Sequence, residues 1–268
     1  MNIQGKRVLI TGGGTGIGLA LALALARKGA RLVLSGRRPG PLTTAVAELT
    51  ANGTEAHAVA ADVATDAGRS AMLAAARNHL GGLDILVNNA GGVRAGRLET
   101  TTEDEIRTMV DVDLLAPILL TRAALPELRR SGHGLIVNVT SGGALIGMPF
   151  YATYVATKAG LARFGEALRR ELKGEGVDVL TVFPGGTDTP MMATNNAGAD
   201  LGFDREPAAA VGAAIVEGIE NGQFDVMRGG ESRMKLLALN REYPAALDER
   251  FLGMKGALEV AVRDHRAL

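Results

Sequence analysis

Apolar and polar positions along the chain alternate between two kinds of segment. Short, nearly continuous apolar runs such as Arg31–Ser35 and Val177–Phe183 predict buried strands. Longer segments with apolar positions at helical spacing lie between them, including Asp66–Leu80 and Glu103–Arg130. Pro117 is expected to kink the second of these helices. This alternation predicts an α/β fold, a Rossmann-type doubly wound parallel sheet with helices on both faces and ligands at the carboxyl ends of its strands.

The remaining predicted elements complete the same pattern without a linker or an internal repeat. The strands are Lys6–Thr11, Glu55–Ala61, Leu83–Asn88, Gly134–Thr140 and Phe224–Met227, and the helices are Leu19–Ala26, Pro41–Thr50, Tyr151–Lys173 and Glu206–Asn221. We therefore expect residues 1–268 to form a single domain, and the motifs below indicate what it binds.

Two segments depart from the regular alternation. Residues 190–207 contain methionines, asparagines and small residues, and long loops of this kind are often functional. We expect this segment to be a substrate lid. The C-terminal extension, residues 231–268, has an apolar periodicity that predicts packing against the body of the domain or against a partner subunit.

A glycine-rich turn joins the first predicted strand to the first helix. Glycines permit a tight turn and a close approach of the backbone to a ligand, and the helix N-terminus can receive a pyrophosphate. The turn therefore predicts dinucleotide binding, although an empty structural loop is the alternative reading. The candidate residues are Gly12, Gly14, Thr15, Gly16, Ile17 and Gly18.

Tyr154 and Lys158 are four residues apart on a predicted helix and so share one face, with Ser141 ahead of them. A phenol has an ordinary pKa of about 10, and a neighbouring ammonium favours the phenolate and lowers that value. The pair can thus move a proton near neutral pH. A surface Tyr–Lys pair is the alternative that this spacing leaves open.

Composition excludes several classes of function. The formal net charge of +0 gives no global field for nucleic acid or an anionic membrane, and the alanine-rich helices are too short and too charged to span a bilayer. The chain has no cysteine, and its 4 histidines lie apart from one another, so we assign no metal site. A strand begins within a few residues of the N-terminus, which leaves no room for a signal peptide and predicts a cytoplasmic location.

Further motifs follow the ends of the other predicted strands. Together with the glycine-rich turn they are, in chain order, Thr11–Gly18, Asp62-Val63, Asn88-Asn89-Ala90-Gly91, Ser141, Tyr154 with Lys158, and the stretch Pro184, Gly185, Thr187 and Thr189. Because these motifs occur together and in this order, the chain resembles the short-chain dehydrogenase/reductase family in its compact single-domain branch. The resemblance extends from about Lys6 to Met191. It implies that Asp62 and Val63 hold the adenine, and that the Pro184–Thr189 stretch lies beside the nicotinamide carboxamide.

The resemblance also implies roles for the catalytic residues. Tyr154 would donate a proton to a carbonyl oxygen or take one from an alcohol, and Ser141 would hold that oxygen. Lys158 would bind the nicotinamide ribose and lower the pKa of Tyr154. Tyr151 has no lysine four residues later and is interpreted as pocket wall, and the spacing favours Ser141 over Thr140.

Asp113 is a departure from the pattern of the family. The family usually has an asparagine at this place, in a sequence like Asp-Val-Asn-Leu, that shapes a proton relay. Aspartate is nearly isosteric but lacks the amide donor and can carry a charge. Either the relay tolerates Asp113, or the pH profile or the activity is altered.

The end of the second strand bears on the choice of cofactor. A carboxylate there favours NAD, whereas this chain has Ser35, Arg37 and Arg38 and no acid. Guanidinium groups suit a 2′-phosphate, and Ser35 adds a hydroxyl donor. Two solvated arginines are the alternative. We expect NADP(H) to be preferred, with NAD(H) possible.

Three functions are compatible with these residues. The first is an NADP(H)-dependent carbonyl reductase or alcohol dehydrogenase that acts on a small-molecule carbonyl or alcohol. The second is a non-catalytic NADP(H)-binding sensor or scaffold, and the third, a nucleotide-sugar epimerase or dehydratase, is disfavoured by the glycine spacing. The family resemblance implies a homodimer or a homotetramer.

Overall fold

The computed structural model describes all residues, 1–268, and its centre is a seven-stranded parallel sheet. The strands of the protein are β1 Arg7–Thr11, β2 Arg31–Gly36, β3 Ala56–Ala60, β4 Ile85–Asn88, β5 Val93–Arg94, β6 Gly134–Val139, β7 Val177–Phe183, β8 Gly186–Asp188, β9 Arg205–Pro207, β10 Asp225–Met227 and β11 Arg266–Ala267. The order in the main sheet is β10-β7-β6-β4-β1-β2-β3. The strand order reverses between β1 and β4, which is where such folds form a ligand crevice.

Helices cover both faces of this sheet. They are α1 Gly16–Ala26, α2 Pro39–Ala51, α3 Asp66–Ala75, α4 Glu103–Val110, α5 Ala116–Arg130, α6 Ala152–Glu171, α7 Ala208–Glu220, α8 Gly230–Glu242 and α9 Pro244–Val262. Leucine and valine side chains of α1, α2 and α7 pack on one face of the sheet, and those of α3, α5 and α6 pack on the other. The single-domain, doubly wound fold expected from the sequence is confirmed. No helix is long and apolar enough to cross a membrane.

The long helix expected around Pro117 is divided by a wide turn. Helices α4 and α5 are joined by one π turn, Asp111–Leu115, in which the N–H of Ala116 donates to the carbonyl of Asp111. Proline has no N–H and its ring crowds the carbonyl four residues earlier, which here belongs to Asp113. The disturbance that Pro117 predicts is therefore present, and it lies in the turn before the proline.

Two small sheets attach residues 190–207 and the C-terminal extension to the body of the domain. β8 pairs with β9, so the two ends of the 190–207 segment lie side by side. β11 pairs antiparallel with β5 at the rim of the main sheet. Leu258 and Val262 of α9 are fully buried in an apolar cluster with Val93 and Tyr151. This part of the extension therefore packs against the body of the domain.

Candidate functional site

The residues predicted to carry chemistry meet at the carboxyl ends of β4, β6 and β7. Ser141 follows β6, and its Oγ accepts a hydrogen bond of 3.1 Å from the N–H of Gly143. Tyr154 and Lys158 lie one turn apart on α6, with Lys158 Nζ 5.8 Å from the centre of the Tyr154 ring. All three side chains line one cavity of about 270 Å³. Tyr154 and Lys158 are therefore not a surface pair.

Asp113 lies directly behind Lys158 and forms a buried ion pair with it. Lys158 Nζ is 3.0 Å from Asp113 Oδ1, and the two side chains are 5 % and 0 % exposed. The N–H of Gly92 donates to the same oxygen at 3.0 Å, whereas Oδ2 is buried without a partner. A Cβ at Gly91 would fall 3.0 Å from Lys158 Nζ and would overlap Asp113, so glycine is needed for this close approach. An asparagine at position 113 could not neutralise the lysine in this way.

This ion pair changes the expected electrostatics of Tyr154. Burial raises the pKa of Tyr154; Lys158 and Ser141 lower it, and the charge of Asp113 raises it again, so the net direction is upward. Lys158 lowers this pKa as expected, but burial outweighs the lysine and Asp113 opposes it, so the net direction differs from the expected one. Burial lowers the pKa of Lys158, but Asp113 and Tyr154 more than offset this, and the lysine stays cationic. Burial also raises the pKa of Asp113, and the charge of Lys158 lowers it by less than burial raises it.

Tyr151 belongs to the wall of the cavity, as the sequence predicted. Its hydroxyl lies 2.8 Å from Nδ1 of His265 and accepts a 3.0 Å hydrogen bond from Asn195 Nδ2. Nε2 of His265 is 3.1 Å from the carbonyl oxygen of Met191, which can only accept. The network therefore assigns the proton to Nε2 and makes Nδ1 the acceptor for the Tyr151 hydroxyl. Thr140 donates to the carbonyl of Val182 at 2.6 Å, so its hydroxyl is already engaged.

A groove beside the cavity contains the other predicted residues. Its own cavity of about 170 Å³ shares Gly12, Thr15, Ala90 and Gly91 with the cavity beside Tyr154, so the two cavities adjoin each other. The predicted residues that line this groove or the cavity are Gly12, Gly14, Thr15, Gly16, Ile17, Ser35, Arg37, Arg38, Asp62, Val63, Asn89, Ala90, Gly91, Tyr154, Lys158, Pro184, Gly185, Thr187 and Thr189. Gly18 lies behind the lining, where a Cβ would overlap the carbonyl of Gly12 and the side chain of Asn89.

The shape of the groove fits an extended dinucleotide. Gly12 and Gly16 adopt positive φ values of 66° and 55°. Because glycine has no side chain, the backbone of the turn can lie close to a ligand in the groove. Asn89 Nδ2 donates to the carbonyls of Thr11 at 2.9 Å and Gly12 at 3.2 Å, which fixes the turn against the end of β4. The N-terminus of α1 follows at Gly16 and offers its free N–H groups to a phosphate. The residues present therefore fit a nicotinamide dinucleotide.

The far end of this groove carries positive charge. Arg37 and Arg38 line it, are exposed and form no ion pair. Ser35 is fully buried and its hydroxyl donates to the carbonyl of Ile10 at 3.4 Å, so that hydroxyl already has an acceptor. Asp62 accepts a 2.9 Å hydrogen bond from the N–H of Ala64, which holds its carboxylate at the groove.

Two titratable residues of the cavity were missed by the sequence interpretation, and both come from the C-terminal extension. Arg233 of α8 lies against the backbone beside Ser141, and His265 precedes β11. No local pattern in the sequence marks either residue, because each is brought to the cavity only by the packing of the extension. The fold and this site together define a dinucleotide-binding α/β oxidoreductase.

Comparisons with known proteins give the family. The family model described as "short chain dehydrogenase" matches residues 6–200. The ketoacyl reductase HetN of a Nostoc species is 33 % identical over 252 residues, which cover 92 % of this chain and 88 % of that protein. The 2,5-dichloro-2,5-cyclohexadiene-1,4-diol dehydrogenase LinX of Sphingobium indicum is 38 % identical over 194 residues, 71 % of this chain and 76 % of that one. The chain belongs to the short-chain dehydrogenase/reductase family.

Solved structures agree with this assignment. A short-chain dehydrogenase from Burkholderia cenocepacia in complex with NADP superimposes with a TM-score of 0.79 at 32 % identity, covering 86 % of this chain and 98 % of that one. A short-chain dehydrogenase/reductase from Burkholderia phymatum in complex with NAD gives 0.83 at 25 % identity, with 92 % and 96 % covered. The protein is therefore an oxidoreductase of this family with a nicotinamide cofactor and a small-molecule substrate. A binding-only sensor is not favoured.

Proposed function

We infer that this protein is an NADP(H)-dependent oxidoreductase that transfers a hydride between the nicotinamide and the carbonyl or alcohol carbon of a small molecule, with Tyr154 as the general acid and base. The observation that carries this is the meeting of Ser141, Tyr154 and Lys158 in one cavity that adjoins the dinucleotide groove. A surface pair or an empty glycine-rich loop would not be arranged around a common cavity.

Each polar side chain of the site has a separate role in the proposed reaction. The bound cofactor supplies or accepts the hydride. Ser141 is placed to donate a hydrogen bond to the substrate oxygen from the end of β6. Tyr154 gives its phenolic proton to that oxygen during reduction and takes one back during oxidation. Lys158, which stays cationic, stabilises the phenolate that remains after the proton has left.

The electrostatics suit reduction near neutral pH. Burial and Asp113 raise the pKa of Tyr154, so the phenol is protonated and ready to act as an acid. Oxidation needs the phenolate and is therefore favoured only at higher pH. In this reading Asp113 is a positioning residue: it holds Lys158 in place and attenuates its effect on Tyr154.

The preference for NADP(H) rests on Arg37 and Arg38. Both guanidinium groups line the groove, have no carboxylate partner and are free to bind a 2′-phosphate. A carboxylate at the end of β2, which would favour NAD(H), is absent. Related structures contain either cofactor, so the arginines alone carry this part of the proposal.

The proposal extends to the assembly and to the lid. Tyr243, Leu252 and Val260 of the C-terminal extension are each more than half exposed, and such large apolar side chains support a homodimer or homotetramer. Met191, Met192 and Phe203 line the cavity from residues 190–207, which supports their role as a substrate lid. A cytoplasmic location stays a prediction of the sequence.

A paired titration tests this proposal first. The intrinsic fluorescence of NADPH and of NADH is followed as each is titrated with purified protein, and the same samples are then mixed with a panel of ketones and aldehydes. We expect tighter binding of NADPH and its oxidation by at least one carbonyl compound. Tighter binding of NADH would overturn the argument from the arginines but would leave the assignment as an oxidoreductase in place. Binding without any turnover would overturn the catalytic role of Tyr154.

A further inference from the structure

The guanidinium of Arg233 lies in the catalytic cavity beside Ser141. Arg233 is in the first turn of α8 and lines the cavity. A Cβ built on Gly142 would overlap its Nη1, and a Cβ on Gly185 would fall 3.6 Å from its Nη2. The guanidinium therefore occupies space between the residue after Ser141 and the residue after Pro184. It thus lies in the part of the cavity that adjoins Ser141.

No group of the protein binds this guanidinium. None of its nitrogens forms an ion pair or donates a side-chain hydrogen bond, and its Nε is buried without a partner. Other arginines near the lid are satisfied: Arg228 forms an ion pair with Glu206, and Arg205 donates to the carbonyl of Asn195 at 2.6 Å. An arginine cannot lose its charge by deprotonation in a protein, so a half-buried, unpaired guanidinium is costly. The guanidinium therefore has no direct anionic partner within the protein.

The rest of the cavity does not supply that anion. Its 30 lining residues include no aspartate and no glutamate. The other permanent cation, Lys158, is already neutralised by Asp113 from behind the wall. The charge of Glu206 raises the pKa of Arg233, but the ion pair of that carboxylate is formed with Arg228. Arg233 is therefore the cation of the cavity lining that has no ion pair of its own.

We propose that Arg233 binds an anionic group, a carboxylate or a phosphate ester, of the carbonyl or alcohol substrate. This inference rests on the proposed function, since it concerns the substrate of that site. Guanidinium groups bind carboxylates and phosphates through two parallel hydrogen bonds, which fix direction as well as distance. With the anion held by Arg233 and the reacting oxygen held by Ser141 and Tyr154, the substrate is oriented by both of its ends.

A phosphate of the cofactor is the competing acceptor for Arg233. The pyrophosphate is expected at the N-terminus of α1, near Gly16, whereas Arg233 lies against Gly142 and Gly185. The position of the arginine therefore favours the substrate, and the experiment separates the two by measuring cofactor affinity as well.

The test uses matched anionic and neutral substrates. The wild-type protein is assayed with 4-acetylbenzoate and 4-oxopentanoate against their methyl esters, and with dihydroxyacetone phosphate against dihydroxyacetone. We expect kcat/KM for at least one anion to exceed that of its neutral partner at least about tenfold, the range of a charged hydrogen bond. In Arg233→Met this ratio should fall to about one, and in Arg233→Lys to an intermediate value. Arg241→Met, an exposed position on the same helix, should keep the wild-type ratio.

A binding measurement keeps the proposal independent of turnover. The cofactor-saturated protein is titrated by calorimetry with benzoate, phenylphosphonate and benzamide, and thermal unfolding confirms that each variant is folded. Anion binding that exceeds benzamide binding and is lost in Arg233→Met supports the proposal, even if no carbonyl compound is reduced and the proposed function fails. Equal binding of anion and amide, or none of either, together with no preference for anionic substrates, overturns it. Weakened NADPH binding in Arg233→Met with an unchanged anion preference assigns the arginine to the cofactor and overturns it too.

Discussion

Lys158 Nζ lies 3.0 Å from Asp113 Oδ1 in a buried ion pair, so the cation beside Tyr154 is neutralised from behind. The carboxylate comes from the π turn between α4 and α5, and the lysine comes from α6. Breaking such a pair leaves an unpaired buried charge, which is strongly unfavourable. Asp113 therefore both holds Lys158 and moderates its influence on the phenol.

Replacing Asp113 with asparagine should shift the pH profile to lower pH. Burial and the negative charge of Asp113 both raise the pKa of Tyr154, and the variant removes the second of these. Reduction needs the protonated phenol, so its rate should begin to fall at a lower pH, and oxidation should begin to rise at a lower pH. Initial rates in both directions between pH 6 and 10 measure this. The exposed neighbour gives the control, Asp111→Asn, which should keep the wild-type profile; an unshifted Asp113→Asn profile would contradict the argument.

Removing the phenolic hydroxyl should stop catalysis but keep the cofactor site. In Tyr154→Phe, kcat should fall by at least about 100-fold, because general acid–base catalysis contributes about 10²–10⁴. Cofactor affinity should change little, since the glycine-rich turn and the residues at the ends of β4 and β7 remain. Steady-state rates and a fluorescence titration check both parts. Tyr243→Phe, which removes an exposed phenolic hydroxyl outside the cavity, is the matched control. Turnover retained in Tyr154→Phe would refute its role.

Replacing Arg37 with alanine should weaken the binding of NADPH far more than the binding of NADH. A charged hydrogen bond to a 2′-phosphate is worth about 1.5–3 kcal/mol, or roughly a ten- to a hundredfold change in Kd, and NADH lacks this phosphate. Titrations of the wild type and the variant with each cofactor give the ratio of their Kd values for NADPH and for NADH. Arg122→Ala is the control, since this arginine is exposed and lies outside the groove. Equal losses for both cofactors would show that Arg37 does not bind the 2′-phosphate.

The bond between Tyr151 and His265 ties the C-terminal extension to the cavity wall. In His265→Ala, the buried hydroxyl of Tyr151 loses an acceptor, which should destabilise the protein by about 1–3 kcal/mol. Chemical denaturation of wild type and variant measures this difference. Because Nε2 also donates to Met191, which lines the cavity from the proposed lid, KM for the substrate should rise in the same variant. A variant with unchanged stability and unchanged KM would show that the network does not hold the lid.

His265 also makes stability depend on pH in a defined direction. Burial lowers its pKa in the folded state below the unfolded value of about 6.5. The unfolded chain therefore binds a proton more readily, and the contribution of His265 is present above pH 6.5 and is lost as the pH falls below it. The Tm of the wild type should decrease more steeply between pH 7.5 and 5 than that of His265→Gln. Parallel slopes would exclude a titrating His265.

Much of the fold could be predicted from local pattern. The prediction for β7 agrees at both ends, and the other main-sheet strands agree within a few residues, because a buried parallel strand is a short apolar run between turn signals. The glycine-rich turn and the Tyr154–Lys158 spacing are local as well. The net direction of the Tyr154 pKa could not be predicted, because it depends first on how deeply the packed fold buries the phenol. It depends also on Asp113, which is 41 positions before Tyr154 in the sequence.

The sequence by itself determined the order of strands and helices, the dinucleotide-binding turn and the proton-transfer pair on α6, since each is set by spacings of a few residues. Only the tertiary structure decided that Asp113 neutralises Lys158, that Arg233 enters the cavity without a partner, and that His265 bonds to Tyr151 across 114 positions. These contacts join side chains from distant segments. Their distances follow from how helices and strands pack around the sheet, and no spacing along the chain encodes them.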